Sequence, residues 1–328
     1  MSNVETAPQE LTCEPSRGGT DWLVLAGRDV PLGGPRAMNV RRTVPHRNRS
    51  FVGAWCFVDH YGPDDVAESG GMDVPPHPHT GLQTVSWLFR GEIEHRDSGG
   101  NHGLVRPGEV NLMTGGRGIC HSEVSTARTT VLHGVQLWVV LPDETRQAPR
   151  LFEHFAPDPT ELPTESGTAT ALVFLGELAG ASSPVETHTP LLGAQLDLTP
   201  GTRVVLDVRP DFEHGVLLDL GSVEVDGVEL APAELACHDA GPSQLTLNAG
   251  PDGARLLLLG GTPFDEEIIM WWNFVGRTHD EIRAARQEWE DHSDRFGEVD
   301  GYVGPLERLP APNLPGGRLK TRGRLGRN

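Results

Sequence analysis

Two pairs of side chains in the first half of the chain have the spacing of metal ligands on β-strands. His77 and His79 are one residue apart in HPHTGLQTV, and His121 and Glu123 are one residue apart in TGGRGICHSEVS. Because side chains alternate between the two faces of a strand, both members of each pair point the same way. Three imidazoles and one carboxylate suit iron, manganese, nickel, copper or zinc, with one or two coordination positions left open.

A single pair of histidines is weak evidence for a metal, because paired histidines in strands often only make hydrogen bonds. Two matched pairs within a series of short strands can face each other across a small barrel. The sequence therefore predicts one mononuclear site with His77, His79, His121 and Glu123 as ligands.

Short apolar runs separated by turn residues dominate the chain that must position these ligands. Among 328 residues there are 40 glycines and 27 prolines, a composition that favours short strands over long helices. The runs predict two β-rich units, residues 36–168 and 169–297, joined by a proline-containing connector at 141–169. Residues 1–35 are predicted to be irregular, and residues 298–328 to form an irregular basic tail whose final part, GGRLKTRGRLGRN, is predicted to be mobile.

One helix is expected, over residues 279–296. Thr278 and Glu281 have the spacing of a capping box, and four apolar residues follow at helical intervals. We interpret that stripe as core packing; it consists of Ile282, Ala285, Trp289 and Phe296.

Composition excludes several classes of function. A net charge of −19, from 27 basic and 46 acidic residues, disfavours direct binding to nucleic acid. No apolar run is long enough to span a membrane and the start lacks a signal core, which predicts a cytoplasmic protein. The cysteines are scattered and predicted to be free thiols, with Cys120 packed and unreactive. Hydrolase and dinucleotide-binding motifs are not found.

The segment from Pro75 to Glu123 resembles the pirin family, a branch of the cupin superfamily. The resemblance is carried by H-P-H, the strand ending at Gly91, the Pro107-Gly108 turn and T-G-G-R-G-I-x-H-S-E, and more weakly by VRR, QLWV and MWWNFVGRTHDEI. It implies an all-β bicupin, in which two antiparallel jelly-roll barrels pack face to face and a helix follows. It also implies one metal, usually Fe²⁺, in the first barrel, held by the four residues already singled out, and a degenerate second barrel.

The chain departs from the family pattern at two positions near the ligands. Gln83 stands where pirins usually keep an acidic residue that is not a ligand, and Thr80 replaces a common arginine. Glu123 is then the one carboxylate expected at the metal. Of the other histidines, His60 is expected to be buried and hydrogen-bonded, whereas His95 and His102 are expected to be exposed turn residues.

The resemblance implies a quercetin 2,3-dioxygenase type of activity, in which O₂ cleaves a small aromatic, enolic substrate such as a flavonol and carbon monoxide is released. Glu123 would accept the proton of the flavonol hydroxyl. The family leaves two alternatives open. One is a non-enzymatic regulator that binds a transcription factor or a metabolic enzyme and uses the metal as a redox sensor. The other is a cupin whose metal is only structural.

Overall fold

A computed structural model describes residues 22–31 and 38–324 of the chain. Within these residues two helices, α1 (Val66–Ser69) and α2 (His279–Glu290), accompany 25 strands. The strands, in chain order, are β1 (Leu23–Leu25), β2 (Arg28–Pro31), β3 (Asn39–Val44), β4 (Trp55–Asp65), β5 (Asp73–His79), β6 (Leu82–Arg90), β7 (Ile93–Asp97), β8 (His102–Val105), β9 (Val110–Thr114), β10 (Ile119–Ser125), β11 (Val131–Val140), β12 (Leu151–Phe155), β13 (Thr160–Leu162), β14 (Thr164–Ser166), β15 (Ala169–Leu175), β16 (Glu177–Leu178), β17 (Ala181–Ser182), β18 (Leu191–Leu198), β19 (Arg203–Asp207), β20 (Glu213–Val225), β21 (Val228–Leu230), β22 (Leu235–His238), β23 (Gln244–Gly261), β24 (Ile269–Trp271) and β25 (Phe274–Gly276).

The N-terminal unit consists of two antiparallel sheets. A seven-stranded sheet has the order β12-β9-β6-β11-β4-β3-β2, and a four-stranded sheet has the order β5-β10-β7-β8. Strand β6 is buried from Leu82 to Leu88, on both of its faces. One face lines the interior of the N-terminal unit, where Ser86 contacts Glu123, and the other packs against the second unit through Trp87.

The C-terminal unit is built on a ten-stranded antiparallel sheet around β20 and β23. Its inward residues form one apolar core, whereas Leu217, Leu257 and Leu259 join a second core together with Trp87 and Leu137 of the N-terminal unit. The predicted all-β architecture of two antiparallel units packed face to face, with one C-terminal helix, is confirmed. Neither helix in the described part of the chain is long and apolar enough to cross a membrane.

The ends of the two units differ from the sequence prediction. Within the predicted irregular segment 1–35, strand β1 pairs with β22 of the C-terminal unit and β2 pairs with β3 of the N-terminal unit; residues 1–21 and 32–37 lie outside the described residues. The predicted connector contains β12, which pairs with β9, and β13, which pairs with β15. The change from one unit to the other thus falls between Phe155 and Thr160. These strands are short and half exposed, so they lack the alternation by which strands are recognised.

The helix begins as predicted and ends earlier than predicted. The Thr278 hydroxyl accepts a hydrogen bond from the Glu281 amide at 3.2 Å, which confirms the cap. The helix ends at Glu290 rather than at 296, because His292 has a left-handed backbone with φ of 55°. Phe296 is buried all the same, in the turn that follows, and the predicted stripe forms core.

The C-terminal segment is irregular, as predicted, but it is docked rather than mobile over its described part. The Leu309 amide donates to the Pro76 carbonyl at 2.9 Å, and the Leu309 carbonyl accepts from the Trp289 indole at 2.9 Å. The Tyr302 hydroxyl donates to Asp73 at 2.8 Å. The segment therefore covers β5, which is an edge strand of its sheet and would otherwise expose unpaired backbone groups.

Candidate metal centre

Strands β5 and β10 are adjacent and antiparallel, and their register brings the two predicted pairs together. His121 lies opposite His77, and Ile119 lies opposite His79. The register shifts between His121 and Glu123, where β5 has one extra residue. Pro75 and Pro76 occupy that stretch of β5; they lack the N–H groups a regular ladder needs, and prolines in sheets are confined to such bulges and edges.

The three predicted histidine ligands meet in the interior of the N-terminal unit. All three are fully buried. The ring centroids of His77 and His121 are 4.3 Å apart, and the Nε2 atoms of His79 and His121 are 3.1 Å apart. Nδ1 of His77 donates to the Pro75 carbonyl at 2.9 Å, so its Nε2 carries the lone pair, and that buried nitrogen has no hydrogen-bond partner. Buried polar atoms are rarely left without a partner, and three converging nitrogens fit a bound metal.

The protonation of these rings also suits metal binding. Burial lowers the pKa of His77, His79 and His121 well below the usual value for histidine, and the charge of each neighbouring imidazole lowers it further for His79 and His121. The rings are therefore neutral near pH 7, and each has a lone pair to offer. Imidazole is a ligand for iron, nickel, copper and zinc alike.

Glu123 is buried in the same interior, with 1% of its surface exposed. Its Oε1 accepts a hydrogen bond from the Ser86 hydroxyl at 3.2 Å, and Ser86 also contacts Gln136 at 2.9 Å. A carboxylate oxygen of Glu123 and ring nitrogens of His95 and His121 lie within 4.8 Å of one another. Ring nitrogens of His77, His79 and His121 form a second such group. His121 is thus common to both clusters, and the role of Glu123 as the fourth ligand stays a prediction.

His95 is a neighbour of the site that sequence reasoning missed. The expectation that it is an exposed turn residue is wrong: it lies on β7 directly opposite Glu123, and only 3% of its surface is exposed. Its Nδ1 lies 3.4 Å from Nδ1 of His121, and its Nε2 lies 3.1 Å from Asp97. The available signal was the alternation of I-E-H-R-D, in which residues 93, 95 and 97 share the buried face.

These contacts define one consistent arrangement of protons. Asp97 is an acceptor for His95 Nε2–H, because hydrogen bonds from His95 and Asn101 hold the pKa of Asp97 below its usual value although burial alone would raise it. His95 Nδ1 can then accept the Nδ1–H of His121, which leaves Nε2 of His121 as the lone pair facing His79. Second partners of this kind fix the tautomer and orientation of metal-binding histidines.

Two protein-family models match the chain. The family model for pirin matches residues 37–139, and the model for the pirin C-terminal cupin domain matches residues 193–297. The chain belongs to the pirin family. It is 45% identical over 291 residues to a Pseudomonas aeruginosa protein provisionally named quercetin 2,3-dioxygenase, covering 89% of this chain and 90% of that one.

Two further relatives agree with this membership. A pirin-like protein of Caulobacter vibrioides is 36% identical over 286 residues, covering 85% of this chain and 96% of that one. The crystal structure of a quercetin 2,3-dioxygenase from Acinetobacter baumannii superimposes with a TM-score of 0.84 at 39% identity, covering 93% of this chain and 98% of that one. The bicupin fold expected of the pirin family is therefore established for this chain.

The two departures from the pirin pattern lie beside the ligands. Gln83 is buried on β6, where its amide donates to the Thr114 hydroxyl at 3.0 Å. Thr80 follows His79 directly and is bridged to Phe274. Neither side chain adds a charge to the interior.

The remaining sequence expectations near the site agree with the structure. His60 is buried and lies 2.6 Å from Asp219, and His102 is exposed and contacts Glu94 at 2.7 Å. Cys120 is packed among apolar residues, and burial raises the pKa of its thiol to about 12. A thiol with that pKa is not a nucleophile near neutral pH.

Proposed function

We propose that this pirin is a metal-dependent dioxygenase that cleaves a flavonol such as quercetin with O₂, at a mononuclear site held by His77, His79, His121 and Glu123. The observation that carries the proposal is the convergence of three buried, neutral imidazoles, one of them with an unpartnered Nε2. The names of the Pseudomonas and Acinetobacter relatives support the substrate class. Fe²⁺ is the ion we expect, and manganese, nickel, copper and zinc share these ligand preferences.

A divalent ion at this position would act as a Lewis acid that lowers the pKa of the substrate hydroxyl. The chain itself supplies the proton acceptor and the surroundings. Glu123 is the buried carboxylate beside the histidines, and it takes the proton of the flavonol hydroxyl, with the Ser86 hydroxyl holding its Oε1. The substrate anion that results is the electron-rich species that O₂ attacks in the ring cleavage.

Aromatic side chains form the wall next to the histidines and keep water away from the reacting centre. The ring of Trp138 lies edge-on to His79 at 5.2 Å and stacks on Phe57 at 4.0 Å. Phe152 stacks on His95 at 4.8 Å. A flat aromatic substrate matches such a wall, since stacked and edge-to-face contacts between rings are favourable.

The closed state of the site favours a second candidate, the non-enzymatic regulator. The three histidines are fully buried and Glu123 is 1% exposed. A cavity of about 560 Å³ lies between α2 and the turns next to His79 and His121, with Thr80 and Gly116 in its lining, but none of the four proposed ligands lines it. An enzyme must open a path from this cavity to the histidines for its substrate, whereas a redox-sensing regulator needs no such opening.

The experiment measures flavonol loss, O₂ uptake and carbon monoxide release by metal-free protein reconstituted separately with Fe²⁺, Mn²⁺, Ni²⁺, Cu²⁺ and Zn²⁺. Turnover of quercetin with at least one ion supports the dioxygenase. Loss of metal in His79→Ala, measured by elemental analysis, supports the ligand assignment. Metal binding without turnover for all five ions contradicts the enzymatic proposal and leaves the regulator.

The role of Glu123 is tested by Glu123→Gln, which keeps the shape of the side chain and removes the base. We expect it to keep most of its metal and to lose at least about 100-fold in kcat, the usual contribution of a general base. Glu94→Gln is the matched control, because Glu94 lies on the neighbouring strand with its carboxylate on exposed His102 and on Arg96. Normal turnover by Glu123→Gln contradicts the assignment.

A further inference from the structure

A second group of metal-binding side chains lies outside the pirin site, between the two units. His60 on β4 and His133 on β11 belong to the N-terminal unit, and Asp219 on β20 belongs to the C-terminal unit. Their exposed fractions are 1%, 5% and 4%. Each has a ligand atom within 4.8 Å of the ligand atoms of the other two.

Both imidazoles are directed at the same oxygen of Asp219. Nε2 of His60 lies 2.6 Å from Oδ1, and Nε2 of His133 lies 2.7 Å from it. The second contact lacks the alignment of a hydrogen bond, so Nε2 of His133 is a buried nitrogen without a hydrogen-bond partner. Buried nitrogens are rarely left without a partner. This arrangement of two nitrogens and one oxygen therefore fits a metal ion that would accept their lone pairs.

The other side of the carboxylate is already occupied. Nε of Arg255 binds Oδ2 of Asp219 at 2.5 Å, and its guanidinium lies over the Phe89 ring at 4.4 Å. The arginine therefore fixes the orientation of the carboxylate and leaves Oδ1 as a single ligand atom, in the way that hydrogen bonds orient carboxylates around bound metals. Arg255 is also the partly exposed edge of the cluster, with 22% of its side chain accessible.

The ionisation states are those that a metal requires. Burial lowers the pKa of His60, which is thus neutral near pH 7. Burial alone would raise the pKa of Asp219, but the nearby imidazoles of His133 and His60 and the charge of Arg255 hold it well below the usual value. Neutral imidazole and ionised carboxylate are the forms that bind divalent ions.

We propose that His60, His133 and Asp219 form a second metal site, which takes one divalent ion of the zinc class with water in the remaining positions. Two histidines and one carboxylate are a frequent protein ligand set for such ions. Bonds of about 2.0–2.1 Å to the ion place neighbouring ligand atoms about 3.0–3.4 Å apart. The two nitrogens must therefore withdraw from Oδ1 by less than 1 Å, which small side-chain rotations allow.

The location of this second site gives it a role distinct from the chemistry of the first. Its ligands come from both pirin units, so a bound ion links β4 and β11 to β20. An ion that binds only the folded, assembled chain stabilises it by an amount that grows with the logarithm of the ion concentration above the Kd. The site is therefore structural, and it joins the two barrels at their shared face.

The test is metal stoichiometry on the full chain, with Zn²⁺ and with Co²⁺ as a spectroscopic probe. After removal of metal, saturation with Zn²⁺ and desalting, we expect two ions per wild-type chain by elemental analysis. The double variant His79→Ala/His121→Ala, which empties the first site, and the single variant His133→Ala should each retain one. The control His102→Ala, an exposed histidine, should retain two. One ion per wild-type chain, or two in His133→Ala, overturns the proposal.

A second measurement does not depend on how well His133→Ala folds. The double variant His79→Ala/His121→Ala should bind one Co²⁺ with visible d–d absorption, and Zn²⁺ should raise its melting temperature. Neither effect should appear when Asp219→Asn is added. A double variant that retains no Co²⁺ and shows no thermal shift overturns the second site, whatever the outcome at the first.

Discussion

Replacing His95 by phenylalanine tests how the first site is held in position. His95 bridges Asp97 and His121 through its two nitrogens, at 3.1 and 3.4 Å, and its ring stacks on Phe152. Phenylalanine keeps the ring and the stacking but removes both hydrogen bonds. Asp97 remains satisfied by the Gly99 amide at 2.7 Å and by Asn101, so the perturbation falls on His121.

The expected loss follows from what His121 then lacks. Its Nδ1–H has no acceptor, so the tautomer with a lone pair on Nε2 is no longer fixed. Removal of such a partner typically weakens metal binding by about 10- to 100-fold, which is about 1.4–2.7 kcal/mol. Removal of a predicted ligand itself, as in His121→Ala, should abolish binding at this site in the same assay.

Competition between the protein and a chromophoric chelator for Ni²⁺ measures this difference. His102→Phe is the control, because His102 lies on the adjacent strand, exposed and paired with Glu94. An affinity of His95→Phe equal to that of the wild type refutes the relay through Asp97. A loss as complete as that of His121→Ala makes His95 a ligand in its own right.

Two further predictions concern the second unit. Glu213 is fully buried and accepts hydrogen bonds from Arg49 at 2.7 Å, Arg324 at 2.6 Å and the Gly53 amide at 2.8 Å. Glu213→Gln should therefore lower the free energy of unfolding by about 3–5 kcal/mol, measured by urea unfolding followed by tryptophan fluorescence. Glu165→Gln, in an exposed ion pair with Arg203, is the control that should leave it unchanged. Burial lowers the pKa of His214 to about 4, and both its ring nitrogens lack a hydrogen-bond partner. As the pH falls below 6.5 the unfolded state binds a proton at this histidine and the folded state does not. Between pH 7 and pH 4 the free energy of unfolding of the wild type should therefore fall by about 3 kcal/mol more than that of His214→Leu. Equal pH profiles of the two proteins contradict this.

The placement of His77 and His79 on one face of a strand could be predicted from sequence because strand alternation is a local property. His77 and His79, and likewise His121, lie where a period of two places them. The distance of Glu123 from the histidines depends on the register shift beside Pro75 and Pro76, and thus on pairing between strands distant in the chain, which a sequence pattern does not show. His95 was missed for the same reason: what buries it is its pairing with Glu123 across the sheet.

The boundaries were harder to predict than the site. Strands β12 and β13 are short edge strands whose residues are half exposed, so their membership of opposite units is decided by partners far away in the chain. The sequence around β1 consists of glycine and proline clusters and does not indicate a strand. Strand β1 forms because it pairs with the edge strand β22.

The same dependence on partners extends to β5. This strand carries two of the three histidines, yet among the described residues β10 is its one strand partner, and two prolines remove amide donors from its middle. Its free edge is covered by the segment after α2, through Leu309 and Tyr302, beyond the part of the chain that the pirin models match. Trp289 of α2 holds that segment in turn. The strand that carries His77 and His79 is therefore held in place in part by residues that follow the second barrel.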